Sequence, residues 1–133
     1  MAAVDTLQGL PECSGKVGSI GYCMGGGLAL LTAIHSGNVA AVNPYYGANP
    51  NPLELVERIR CPVLGLYAER DEANRPSVQA MRAALERYGK EHEIIVYPDA
   101  PHAFFNDTQA SYRPEAAKDA WRRTLEFFGK HLR

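Results

Sequence analysis

The chain has 133 residues, the size of one ordinary domain. A formal net charge of -1 with no basic stripe argues against a surface that tracks nucleic-acid phosphates, and no apolar run reaches the length of a membrane span. Hydrophobic residues at 46% and charged residues at 22% are the balance of a globular protein with a core.

In chain order, Met1 to Leu10 reads as the tail of a helix, followed by a loop at Pro11 to Gly15. Lys16 to Tyr22 is a strand carrying Val17 and Ile20, and Met24 to His35 is a helix closed by Ser36-Gly37-Asn38. Val39 to Tyr45 is a short apolar strand. A Gly-, Asn- and Pro-rich loop and a helical turn at Leu53 to Ile59 follow. Cys61 to Ala68 is a strand of the buried type, and Glu69 to Asn74 a polar loop. Pro76 to Tyr88 is an amphipathic helix in which Val78, Met81, Leu85 and Tyr88 recur at helical spacing. Glu93 to Tyr97 is a strand, and Pro98 to His102 a loop. Pro114 to Leu132 is a long helix expected to bury Ala117, Ala120, Trp121, Leu125 and Phe128. Strands alternating with helices give a single α/β domain, with a mostly parallel sheet of about four strands.

The stretch Gly21-Tyr22-Cys23-Met24-Gly25-Gly26 lies between the first strand and its helix. It has the G-x-nucleophile-x-G form of a strained strand-to-helix turn, with cysteine as the central residue. Side chains in place of the flanking glycines are expected to collide with strand and helix. A thiol at the start of a helix faces N–H groups and a dipole that favour a thiolate.

Functional groups of open α/β sheets collect at the carboxyl ends of strands. Cys23, Asp71 and His102 each follow a strand, in the order nucleophile, acid, histidine. An imidazole can take a thiol proton, and a carboxylate can hold that imidazole in the useful tautomer. Glu69 and Glu72 are rival acids in the same loop. The three cysteines are odd in number and lack C-x-x-C spacing, and the four histidines form no pair at ligand spacing. Neither a disulfide framework nor a metal site is expected. Met1 to Asp5 lacks the regions of a signal peptide, so a cytoplasmic setting is expected.

From Lys16 to Leu132 the chain resembles the C-terminal portion of the dienelactone hydrolase (carboxymethylenebutenolidase) family of α/β-hydrolases. The pieces that carry the likeness are Gly-Tyr-Cys-Met-Gly-Gly at 21–26, Tyr-Tyr-Gly at 45–47, Cys-Pro-Val-Leu-Gly-Leu-Tyr-Ala-Glu-Arg-Asp at 61–71 and Tyr-Pro-Asp-Ala-Pro-His-Ala-Phe at 97–104. The tail from Tyr112 to Phe128, with Ala-Trp at 120–121, adds to them. The resemblance implies that Cys23 is the nucleophile, Asp71 the orienting acid and His102 the base. The Met24 amide would be an oxyanion-hole donor, and Tyr22, Tyr46, Phe104 and Asn106 would line the substrate site. It implies hydrolysis of a small lactone or ester through an acyl-enzyme, without metal or organic cofactor.

Asn106 stands where dienelactone hydrolase has an arginine for the substrate carboxylate, and Arg113 is a weaker candidate for that task. No residue here matches the family's N-terminal strands, second oxyanion donor or other substrate arginine. A truncated α/β-hydrolase fold is therefore expected, with the strand before Cys23 at a free edge. A homo-oligomer or a partner chain would cover that edge. A hydrolase half acting as a binding or interaction module is the alternative function.

Overall fold

The computed structural model describes residues 2–72 and 74–133. Met1, expected in the first helix, and Ala73, expected in the polar loop, lie outside the described residues. The elements are α1 (Ala2–Gln8), β1 (Val17–Tyr22), α2 (Met24–His35), β2 (Val39–Tyr45), a 3-10 turn (Leu53–Arg58), β3 (Val63–Ala68), α3 (Arg75–Arg87), β4 (His92–Tyr97) and α4 (Pro114–His131).

The four strands form one parallel sheet in the order β1-β2-β3-β4. Apolar residues on alternate sides of the strands feed two cores. Val17, Val42 and Val63 pack with Leu30 and Ile34 of α2, Val56 of the turn and Met81 and Leu85 of α3. Tyr45, Leu64, Leu66 and Tyr97 pack on the opposite face with Ala120 of α4 and Phe104. Helices cover both faces, so the middle strands can be apolar throughout: all six residues of β3 are buried.

The long C-terminal helix buries Ala117 and Ala120 of the expected face but not Trp121 and Leu125. Ala117, Ala120 and Thr124 are buried, while Trp121 and Leu125 are 44% and 54% exposed. A threonine wins the inward position because its hydroxyl has partners. Thr124 Oγ1 donates to Asn43 Oδ1 at 2.7 Å and accepts from the Tyr45 hydroxyl at 2.7 Å. Asn43 Nδ2 donates in turn to the Leu64 carbonyl at 2.7 Å, so this buried chain leaves no member unpaired.

Trp121 and Leu125 are exposed because of what lies beside them. β1 pairs with β2 alone, and its outer edge is free among the described residues. Phe128 of α4 sits over Gly18, where an added Cβ would come within 2.6 Å of its ring. Trp121 packs on Phe105, and Phe105 on Tyr22, with ring centroids 6.1 and 5.2 Å apart. Ile20 and Tyr22 of β1 and Trp121 and Leu125 of α4 are all exposed, with Tyr22 and Trp121 joined through Phe105. Met24 and Leu28 of α2 are exposed as well. No helix of the described residues is long and apolar enough to cross a membrane.

Candidate active site

β1 ends at Tyr22 and α2 begins at Met24, so Cys23 must turn the chain within one residue. It does so at φ 59 and ψ -120, a conformation that few residues other than glycine adopt. The turn is fixed from both sides. The Cys23 amide donates to the Tyr45 carbonyl at 3.0 Å, and the Cys23 carbonyl accepts from the Gly26 amide at 3.0 Å. A Cβ at Gly21 would overlap the Gly25 carbonyl, which accounts for the first glycine. The second expected collision is absent, because a Cβ at Gly25 meets nothing within 4 Å. The crowded position is the next one. Gly26 and Gly47 bring their backbones together, and a Cβ on Gly47 would lie 2.6 Å from Gly26 C. That close approach lets α2 begin directly beside the end of β2.

The acid and the histidine come from loops after β3 and β4, which are tied together through their backbones. The Glu69 amide donates to the Tyr97 carbonyl at 3.1 Å, and the Arg70 amide to the Ala100 carbonyl at 2.9 Å. The histidine loop bends sharply, with Asp99 at φ 58 and Ala103 at φ 63. Asp71 Oδ2 accepts from Asn74 Nδ2 at 3.0 Å and lies 2.6 Å from His102 Nδ1. His102 Nε2 lies 3.1 Å from Cys23 Sγ. With Nδ1–H donating to the carboxylate, Nε2 is left as the acceptor facing the thiol. Tyr46 buttresses the imidazole, its ring centroid 4.9 Å from that of His102.

The rival acids have other places. Glu69 Oε2 accepts from the Asp99 amide at 2.7 Å, and Glu72 is exposed. Cys23 is exposed, whereas Cys61 is buried and its thiol is pushed up to about 11 by burial. The Met24 amide is the first of α2, whose opening amides lack partners within the helix.

Cys23 opens into a cleft of about 470 Å³ lined by Tyr22, Tyr46, Ala103, Phe105, Asn106 and Asp107. Burial holds the Tyr46 hydroxyl up to about 12, so this wall presents a neutral phenol. Of the four residues expected to line the site, Phe104 is misplaced. It is fully buried and packs against Tyr45, Tyr46 and Tyr97, and Phe105 faces the cleft instead. The positive φ at Ala103 redirects the chain just before this pair, which residue type alone does not reveal. Asn106 is on the wall, but its Oδ1 accepts from the amide and hydroxyl of Thr108 at 3.0 and 2.6 Å. Arg113 does not reach the cleft, since its Nη1 donates to the carbonyls of Ala110 and Tyr112, each at 3.1 Å. Asp107, a lining carboxylate, is a residue that the motifs did not single out. A second depression, at the amino ends of β3 and β4, is lined by His92, Glu93, Arg123, Glu126, Lys130 and His131, with no cysteine or serine among the described lining residues. No group of three or more His, Cys, Asp or Glu side chains among the described residues is placed to hold a metal ion.

The family model of the dienelactone hydrolase family matches residues 1–132. A protein of Saccharolobus solfataricus described as "Putative carboxymethylenebutenolidase" is 44% identical over 84% of this chain and 43% of its own length. One of Escherichia coli K12 with the same description is 36% identical over 84% of this chain and 45% of its own. The crystal structure of a "Putative Dienelactone Hydrolase" from Klebsiella pneumoniae superposes with a TM-score of 0.79 at 36% identity, over 84% of this chain and 51% of that one. A dienelactone hydrolase-like promiscuous phosphotriesterase from metagenomic libraries shares the fold at a TM-score of 0.88 and 24% identity, over 99% of this chain and 59% of that one. The chain spans about half the length of the curated relatives it matches.

Proposed function

The chain belongs to the dienelactone hydrolase family, and we propose that it hydrolyses small lactones or esters through a Cys23–His102–Asp71 triad. The observation that carries this reading is the unbroken hydrogen-bond path from Asp71 Oδ2 through both imidazole nitrogens to Cys23 Sγ, at 2.6 and 3.1 Å. In the proposed reaction Sγ attacks the ester carbonyl carbon as His102 Nε2 takes the thiol proton. Negative charge gathers on the carbonyl oxygen, where the Met24 amide donates a hydrogen bond. The tetrahedral species collapses to a thioester and expels the alcohol, which leaves with the proton from His102. Water, deprotonated by the same nitrogen, then attacks the thioester. The acid departs and the proton returns to Sγ, regenerating the thiol. Asp71 keeps the imidazole oriented in both halves and supports its positive charge.

A nitrophenyl ester tests this directly. A transient acyl adduct on Cys23, seen by mass spectrometry, is the expected result, with turnover lost in Cys23→Ala. Absence of both adduct and turnover would refute the hydrolase reading.

The free edge of β1 and the apolar face beside it support a second element of the proposal. A further copy of this chain, or a partner chain, covers that edge. If the partner also supplies a missing oxyanion donor, the chain alone is a binding half with weak residual activity. Losing one such donor typically costs about 100- to 1000-fold in rate. Light scattering after size exclusion should give more than one chain per particle, and a clean monomer argues against a homo-oligomer. The three free cysteines fit the proposed cytoplasmic setting.

A further inference from the structure

From the residues that line the cleft, we infer that it selects substrates by charge, with Asp107 favouring esters that carry a cationic or neutral group over those that carry an anion. This inference rests on the hydrolase reading of the same site.

Among the described lining residues Asp107 is the single formally charged side chain apart from the triad, and no lysine or arginine lines the cleft. Arg113, the arginine nearest in sequence, and Arg70, in the same loop as Asp71, are committed elsewhere. Arg113 donates to the carbonyls of Ala110 and Tyr112, and Arg70 pairs with Asp99 at 3.5 Å. Lys118 is the cation to weigh against Asp107. It lines the neighbouring groove, where Asp107, Phe105 and Trp121 also contribute, and it does not line the cleft over Cys23. Asp107 is exposed, so its field reaches a ligand through water and is sensitive to salt.

The rest of the wall is aromatic or uncharged among the described lining residues. Tyr22 and Phe105 stack at 5.2 Å with 26° between their planes, and Tyr46 stands across from them as a neutral phenol. Aromatic faces attract a cation, and the side-chain donors these residues could offer a carboxylate are neutral, the phenols of Tyr22 and Tyr46. Asn106 could bond an anion only through its amide nitrogen, because its oxygen is held by Thr108. A carboxylate-bearing acyl group entering this cleft would lose hydration and find a like charge instead of a guanidinium.

Two matched pairs of probes read the selection with and without turnover. The first pair is a cationic and an anionic methanethiosulfonate of equal size, with modification located at Cys23 by mass spectrometry. The ratio of the two rates is divided by the same ratio for the urea-unfolded chain. The second pair is a set of nitrophenyl esters of equal length ending in trimethylammonium or carboxylate.

The normalised cation-to-anion ratio at Cys23 should be about 10 at low ionic strength. It should fall to within about 3 of unity in Asp107→Asn, and similarly in about 0.5 M salt. The kcat/KM ratio of the esters should move in parallel, and Asp107→Lys should invert both. A normalised ratio at or below one in the unaltered protein would overturn the inference. So would a ratio that Asp107→Asn leaves in place. If neither ester is turned over while the thiol ratio behaves as described, the charge filter stands and the hydrolase reading fails.

Discussion

β1 and β3 run parallel in one sheet and each delivers a member of the proposed triad, yet they differ in kind. Every residue of β3 is buried between α3 on one face and α4 on the other. β1 buries only Val17 and Gly21, leaving Ile20 and Tyr22 exposed and its outer edge without a neighbour among the described residues. Asp71 therefore rises from the packed centre of the fold, with Cys23, the proposed nucleophile, on its least supported strand. The elbow compensates locally, because the Gly26–Gly47 backbone contact and the Cys23–Tyr45 hydrogen bond clamp the turn to β2. A catalytic turn can be rigid on an edge strand when the clamp lies on the strand's inner side.

The largest expected effect tests the site that the two strands share. His102→Ala should lower kcat/KM for an activated ester by roughly 10²- to 10⁴-fold while leaving the thermal midpoint nearly unchanged. A comparable loss of stability would mean that the histidine is structural. Next comes the difference in packing. Leu66→Ala, at a fully buried position of β3, should cost about 2–5 kcal/mol in urea unfolding. Ile20→Ala on β1 should stay within about 0.5–1 kcal/mol. Equal losses would break the comparison by showing that something covers β1 in solution.

The clamp can be loosened on its own. Gly47→Ala forces the start of α2 to shift and should cost about 1–3 kcal/mol, with a fall in Cys23 reactivity that exceeds the fall in stability.

The fourth effect is set by pH. Burial raises the Cys61 thiol to about 11 and pushes up the phenols of Tyr45, Tyr67 and Tyr97. In the unfolded chain a thiol ionises near about 8.5 and a phenol near about 10. Between those values and the raised ones the folded state holds more protons, so stability is full below about pH 8.5 and declines as pH rises towards 11. The urea midpoint should therefore drop between pH 7.5 and 10.5, and Cys61→Ala should flatten the early part of the decline. A flat profile in the unaltered chain would contradict the burial of these groups. Smallest in stability, but most telling for the edge, is Leu125→Glu. It should leave unfolding unchanged and shift light scattering towards the single chain if that face mediates association.

Much of this was legible in the sequence because the signals are local. Val39 to Tyr45 and Met24 to His35 coincide with the observed strand and helix, and the other elements differ by one or two residues at their ends. The positions of Cys23, Asp71 and His102 at three strand ends follow from the alternation of elements alone. Three features depended on tertiary facts that no period encodes. The helical spacing of α4 marks an apolar stripe, but it does not say that the neighbouring edge is open or that Thr124 finds partners in Asn43 and Tyr45. The adjacent pair Phe104 and Phe105 is divided between core and cleft by the backbone at Ala103. Asp107 carries no motif, and it matters because the loop folds back over Cys23.

The backbone at Cys23 has a further consequence for which chemistries this turn can host. At φ 59 a side chain with one heavy atom beyond Cβ is tolerated, and a β-branched one is a steric outlier. Serine could stand in for cysteine and exchange sulfur for oxygen. Threonine, which offers the same hydroxyl as serine, is barred by its methyl group alone. The repertoire of nucleophiles at this position is thus set by the torsion of one bond before reactivity is ever tested.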